Sequence, residues 1–129
     1  MTQPFNADDF RRLATEAFPE LCDEFEEDPD LLHVQVSALA RLAQRAKGAA
    51  DWSTYRRCME LAGRFWRSPD AELSNALNVS FLEEIDFAGT NGATAWTYLS
   101  PELQRGWTSM QRYLEELGES ARKQQHKHP

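Results

Sequence analysis

The sequence predicts an all-α fold: an antiparallel helical bundle, or a short α–α repeat-like stack, of five to seven helices. Apolar residues recur at intervals of three and four along most of the chain, which is the period of an α-helix. Capping residues and prolines stand where these apolar stripes begin. No stretch shows the sustained period-two alternation with β-branched residues that is typical of a strand.

The chain has 129 residues, the size of one ordinary domain with its own core. Hydrophobic residues make up 41% and charged residues 27%, which is the composition of a globular chain rather than a disordered one. We expect a single helical domain over residues 1–118. Residues 119–129 are polar and rich in Lys, Gln and His, and we predict a disordered tail there.

Two short helices are predicted near the start of the chain. Asn6 can cap the first helix, because two aspartates follow in the first turn and favour the positive end of the helix dipole. Pro19 interrupts the apolar pattern and suits the first position of a second helix. That helix carries a strongly acidic run from Cys22 to Asp28, and Pro29 ends it.

Two longer helices are predicted to form the centre of the fold. The first has an apolar stripe at helical spacing, made of Leu32, Val36, Leu39, Ala43 and Ala46. Gly48 is expected to end it and Asp51 to cap the second. The second helix has the stripe Trp52, Tyr55, Met59, Ala62 and Trp66, widened by Cys58, Leu61 and Phe65. Because only residues 48–50 separate the two helices, they should pack as an antiparallel hairpin.

A capping motif occurs twice, as Ser68-Pro69-Asp70 and as Ser100-Pro101-Glu102, and its repetition favours the repeat-like stack. The first helix so opened carries Leu73, Leu77, Phe81 and Ile85, and the second carries Leu103, Trp107, Met110, Leu114 and Leu117 and should end at Gly118. A turn-rich loop over residues 88–92 and a short helix over residues 93–98 are predicted between them. Trp96 and Tyr98, beside that loop, could line a groove.

The predicted core combines the central apolar positions of these helices. Its members are Leu39, Ala43, Tyr55, Met59, Ala62, Phe65, Trp66, Leu73, Leu77, Phe81, Trp107, Met110 and Leu114.

Cysteine use and the start of the chain bear on compartment. Cys22 and Cys58 form no CxxC motif, so we expect free thiols in a reducing compartment. The first residues contain neither a basic segment nor an apolar stretch, which predicts no signal peptide and a cytoplasmic protein. No apolar run approaches the length of a membrane span, so no membrane association is expected.

The net charge of −7 argues against general nucleic-acid binding, which needs a basic surface. The charge is unevenly spread. Residues 1–30 hold ten acids and two bases, a net charge of −8, and residues 31–69 hold two acids and seven bases, a net charge of +5. Residues 70–117 hold eight acids and two bases, a net charge of −6. The chain therefore alternates acidic, basic and acidic segments.

No catalytic, phosphate-binding or metal-binding motif is present, so we predict no catalytic residues, no metal and no cofactor. One alternative is a carboxylate-based hydrolase that uses Glu83, Glu84 and Asp86 as acid and base. That hypothesis requires the three carboxylates to converge in a pocket with raised pKa values.

A pattern of residues between Leu73 and Trp107 resembles a known family. Its parts are Asn78 to Glu83, Asp86-Phe87, Asn91-Gly92, Ala95-Trp96 and Leu99 to Leu103. The pattern is similar to that of a family of small acidic bacterial proteins of unassigned function, which look like immunity proteins encoded beside polymorphic toxins. The resemblance implies a non-enzymatic protein that neutralises a cognate toxin by stoichiometric binding and occlusion of its active site.

Charge and exposure indicate where such a partner would bind. The acids of the run around Phe25 exceed the bases available to them, and a toxin with a basic active-site face would relieve their repulsion. A helical scaffold or regulatory adaptor is a further alternative. The predicted partner-binding residues are Asp23, Glu24, Glu26, Glu27, Asp28, Glu83, Glu84, Asp86 and Asn91.

Overall fold

The computed structural model describes residues 3–126, and their side chains as far as Gly118. Over this range the chain forms seven α-helices and no strand, which confirms the all-α prediction. A 3₁₀ turn (Pro19–Leu21) precedes the second helix, and a π-helical turn (Asn78–Leu82) follows the fifth. The helices are α1 (Ala7–Ala17), α2 (Cys22–Glu27), α3 (Leu32–Gly48), α4 (Trp52–Arg67), α5 (Ala71–Leu77), α6 (Gly92–Thr97) and α7 (Pro101–His126).

The capping box at α1 confirms Asn6 as the cap. The Asn6 side chain accepts the Asp9 amide at 2.9 Å, and the Asp9 carboxylate accepts the Asn6 amide at 3.0 Å. Both exposed donors of the first turn are thereby satisfied. Phe10 and Ala14 then face the core, and Pro19 opens the 3₁₀ turn that leads into α2.

The hairpin of α3 and α4 is the centre of the core, as predicted. The two helices pack against each other, and α3 also packs on α5 and the π-helical turn. Their facing side chains are fully or almost fully buried: Val36, Leu39, Ala43, Tyr55, Met59, Ala62 and Phe65. Because α3 lies between so many elements, its few exposed positions are where distant segments meet.

The end of α3 differs from the prediction. Gly48 stays in the helix, and Ala50 adopts the left-handed conformation with φ at 54°. The Ala50 amide donates to the Lys47 carbonyl at 3.0 Å and the Asp51 amide to the Ala46 carbonyl at 2.8 Å. This is the Schellman arrangement with alanine where glycine is usual. Asp51 caps α4 as predicted, through the Thr54 amide at 3.2 Å.

At the first of the two Ser-Pro motifs, the residue that caps the helix differs from the prediction. The cap of α5 is Asp70, whose carboxylate accepts the Leu73 amide at 2.8 Å, and not Ser68. The Ser68 carbonyl instead accepts the Phe5 amide at 2.7 Å, and the Asp70 amide donates to the Phe5 carbonyl at 2.8 Å. This pairing with the N-terminal segment delays the helix. At the second motif Ser100 does cap, receiving the Leu103 amide at 3.2 Å.

The predicted helix after Asp70 changes type along its length. Its α-helical part ends at Leu77 and a π-helical turn continues to Leu82. The apolar positions named for it, Leu73, Leu77, Phe81 and Ile85, are nevertheless all buried. The wider turn lets the chain leave the helix while its apolar face stays on α3.

The last helix is longer than predicted. It continues past Gly118 to His126, while residues 127–129 of the expected tail lie outside the described residues. Leu114 is 39% exposed, so its placement in the core was wrong. The reason is that α7 leaves the body of the domain after Met110. Trp66 and Trp107 are partly buried at the edge of the core.

Aromatic rings fix the loop between the π-helical turn and α7. Phe87, Trp96 and Trp107 meet edge to face, with ring centroids 5.0–5.4 Å apart. Gly92 lies so close to Phe87 that an added Cβ would stand 1.7 Å from the Phe87 carbonyl oxygen. The loop therefore has one tightly packed conformation that holds its acidic start against α3.

Candidate functional site

The acidic run of residues 23–28 surrounds one buried anchor. Phe25 packs in the core against Phe10, with ring centroids 5.9 Å apart. Glu24 lies on the α3 side, where its Oε2 is 3.5 Å from Nη2 of Arg41. Asp23 and Glu27 are exposed and one helical turn apart, so their like charges repel each other.

The other two members of the run have different surroundings. Glu26 lines a cleft between α1 and α2 that also contains Arg11 and Arg12. The Asp28 carbonyl accepts a hydrogen bond from the buried Gln35 amide at 2.9 Å. The run predicted as one surface therefore has two sets of neighbours: Glu26 lies beside the bases of α1, and Glu24 lies beside Arg41 of α3. Among the side chains that the structure describes, Glu24 is the one member of the run that forms an ion pair.

The second acidic segment lies on the other side of α3. Glu84 Oε1 accepts the Ser37 hydroxyl at 2.6 Å, and the Glu84 carbonyl accepts the Gln44 side-chain amide at 2.9 Å. Lys47 donates to the Asp86 carbonyl. Asn91 is half-buried and donates through Nδ2 to the Lys47 carbonyl at 2.9 Å. Asn91 thus holds the loop to α3, with its amide nitrogen already engaged.

These contacts bring the two acidic segments to the same stretch of α3. Ser37 binds one segment and Arg41 the other, and residues one turn apart on a helix are about 6 Å apart. We call the exposed acids on both sides of this stretch the acidic surface; it consists of Asp23, Glu24, Glu27, Glu84 and Asp86.

Ser37, Arg41 and Gln44 were absent from the sequence prediction of the site. They share the exposed stripe of α3, at spacings of four and three residues, opposite the apolar stripe that the prediction used. A helical wheel of α3 shows this stripe. Which segments lie against it depends on tertiary packing.

The three carboxylates of the hydrolase hypothesis diverge. Glu83 lines a cavity of about 580 Å³ beside α7. Glu84 binds Ser37, and Asp86 accepts the Ala88 amide at 2.9 Å within its own turn. All three residues are exposed, so the shared pocket that this hypothesis requires is not formed by them.

Within residues 3–118, whose side chains the structure describes, no group of three or more His, Cys, Asp or Glu side chains is arranged to hold a metal ion. In the same range no helix combines the length and apolar character needed to cross a bilayer.

Both thiols are free. Cys58 is fully buried on α4, and burial raises the pKa of its thiol to about 12. Cys22 is half-buried beside the cleft between α1 and α2. Neither cysteine forms part of the acidic surface.

Comparison with known proteins gives a family. No curated protein and no solved structure matches the chain. The model of one protein family matches residues 11–115, a range that contains both acidic segments and the whole of α3 between them. The chain belongs to the DUF7674 family, a domain of unknown function.

Proposed function

We propose that this protein is a non-enzymatic inhibitor that binds a cognate bacterial toxin through the acidic surface and occludes the toxin's active site. The observation that carries the proposal is the convergence of two acidic segments on one stretch of α3, where Arg41 pairs with Glu24 and Ser37 donates to Glu84. Acids brought together without enough bases repel one another, and a basic partner relieves that repulsion.

The construction of the acidic surface suits binding rather than chemistry. Ser37, Gln44 and Lys47 hold the segment after the π-helical turn to α3, and Arg41 contacts the other segment, so the backbone that carries the carboxylates has little freedom to lose on binding. Exposed acids steer a basic partner and raise the association rate. A helical domain of this size can bury a standard interface of about 1,600 Å² in total.

The support for a toxin as the partner is the resemblance of residues 73–107 to a family of unassigned function whose members look like toxin-immunity proteins. A helical adaptor would use the same surface but need not neutralise anything. A carboxylate hydrolase would need Glu83, Glu84 and Asp86 to act together, and their divergence disfavours it. If the partner inhibits growth when it is expressed without this protein, the inhibitor function is favoured over the adaptor function.

The experiment is coexpression in a bacterium with the product of the neighbouring reading frame. The wild type should restore growth, and a triple variant, E24K/E27K/E84K, should not. The control E16K/E115K/E116K makes the same change in net charge at exposed positions outside the acidic surface and should restore growth like the wild type. Restoration of growth by both variants would show that a different surface binds.

A further inference from the structure

A groove of opposite charge runs along α4 and α7, away from the acidic surface. It consists of three adjoining clefts. The first, of about 400 Å³, is lined by Arg64 and Arg67, and the second, of about 520 Å³, by Arg67 and Arg105. The third, of about 460 Å³, is lined by Arg105 and Arg112. Neighbouring clefts share a lining arginine, and we call the three clefts together the arginine groove.

The arginines of this groove outnumber the acids that line it. All four are exposed, and among the described side chains none lies within ion-pair distance of an acid. Arg64 lies over the Phe5 ring, 5.7 Å from its centroid, which orients the guanidinium without cancelling its charge. Two acids, Glu60 and Glu102, line the same clefts, so the groove carries a local excess of positive charge.

The two acids that line the groove offset only part of its positive charge. Glu60 lies 3.8 Å from Arg56, outside the groove. Glu102 accepts hydrogen bonds from its own backbone and from Ser100, which with Arg105 and Arg67 hold the pKa of this carboxyl below its usual range. Glu102 is thus fully ionised at neutral pH, and one carboxylate leaves a net positive charge on the four arginines.

Aromatic side chains form much of the groove wall. Tyr98 lines the first cleft, Trp66 the second and Trp96 the third. Guanidinium groups bind carboxylates through two parallel hydrogen bonds, and flat apolar walls exclude water from such pairs. Arg105 and Arg112 are separated by two helical turns, about 10 Å, which is the reach of a short peptide segment.

We propose that the arginine groove binds a carboxylate-rich peptide segment of a partner protein. A nucleic acid fits less well, because the net charge of −7 repels a long polyanion while a short acidic segment meets only the local field. None of the elements that form the groove belongs to the acidic surface. A failure of this proposal would therefore leave the proposed inhibitor function unaffected, and the reverse also holds.

The test is a binding titration of the full chain with a fluorescein-labelled oligoglutamate peptide at low salt. The wild type should bind saturably, and R67A/R105A, which removes both shared arginines, should weaken binding by about tenfold or more. The control R12A/R45A makes the same charge change at two exposed arginines outside the groove and should bind like the wild type. R67K/R105K keeps the charge but loses the guanidinium forks, and it should also weaken binding.

Several results would overturn this proposal. One is the absence of saturable binding by the wild type, and another is equal weakening by R12A/R45A. Tighter binding of a single-stranded oligonucleotide of equal charge would assign the groove to nucleic acid instead. Sedimentation that shows self-association lost in R67A/R105A would assign it to the acidic surface of a second copy.

Discussion

The Ser37 hydroxyl donates to the Glu84 carboxylate across 2.6 Å and so ties the loop after the π-helical turn to the exposed stripe of α3. Arg41, one turn further along that stripe, meets Glu24 from the opposite acidic segment. A short polar stripe on one helix therefore organises acids that are far apart in the sequence. The acidic surface forms because both acidic segments contact this stripe.

Replacing Ser37 with alanine should lower the free energy of unfolding by about 0.5–1.5 kcal/mol, because the hydroxyl donates to a carboxylate and its bond is partly exposed. Urea unfolding measures this change. The control is S53A, at an exposed α4 position whose side chain forms no hydrogen bond with the described residues. Equal losses in S37A and S53A would mean that the Ser37 contact contributes nothing specific.

Ala50→Gly should raise the free energy of unfolding by about 0.5–1 kcal/mol. Ala50 occupies the left-handed position of the Schellman motif with φ at 54°, where a Cβ is strained and glycine is not. Thermal unfolding provides the measurement. The neighbouring A49G is the control, because Ala49 is right-handed and gains no relief. A gain of stability in A49G but not in A50G would contradict this interpretation.

Gly92→Ala should destabilise the protein by about 1–3 kcal/mol or more, because its Cβ would stand 1.7 Å from the backbone oxygen of Phe87. The Phe87 backbone cannot move aside for this Cβ as readily as the end of a flexible side chain could. G48A is the matched control, since nothing lies within 4 Å of its added Cβ and alanine is the better helix former. Stability equal to the wild type in G92A would show that the loop packs differently.

The buried Cys58 thiol predicts an alkaline loss of stability. Its pKa rises from 9.0 to about 12 on burial, so above pH 9 the unfolded chain releases a proton that the folded chain keeps. The contribution of Cys58 to the free energy of unfolding should be constant below pH 9 and should decrease from pH 9 upward. The measurement is urea unfolding between pH 7 and pH 9.5, because the buried Tyr55, with an ordinary pKa of 10.0, adds a growing loss of its own as the pH approaches 10.

C58A should flatten the pH dependence in that interval, whereas C22A should keep it. In the folded protein a thiol reagent should modify Cys22 well before Cys58. Rapid modification of both thiols under native conditions would show that α4 is not packed as described.

Local signals in the sequence predicted most of the helices. The caps Asn6, Asp51 and Ser100 each act through a side chain that accepts an amide three residues ahead, so the information is contained within one turn. The α3–α4 hairpin was predictable because both apolar stripes keep the helical period and the linker is short.

The failures have long-range causes. Asp70 replaces Ser68 as the cap because Phe5, from the other end of the domain, pairs with the Ser68 carbonyl. Leu114 keeps the helical period of its stripe, yet it is exposed because the body of the domain ends before it does. The composition of the acidic surface was largely predictable from charge. Glu26 and Glu83 line other clefts, and their positions depend on the direction of α2 and on the path of the loop after the π-helical turn.

The central claim is that the acidic surface around α3 captures a basic protein partner. The direct measurement is the association rate constant with that partner across a range of salt concentrations, for the wild type, E24K/E27K/E84K and the control E16K/E115K/E116K. E24Q/E27Q/E84Q is included because glutamine removes the charge but can still accept the Ser37 hydrogen bond. Circular dichroism confirms that each variant is folded.

We expect association of the wild type to slow steeply with salt, and the lysine and glutamine variants at residues 24, 27 and 84 to associate at least about tenfold more slowly, with a weaker salt dependence. The control should match the wild type. An unchanged rate and salt dependence in both sets of variants at residues 24, 27 and 84 would show that the acidic surface does not capture the partner.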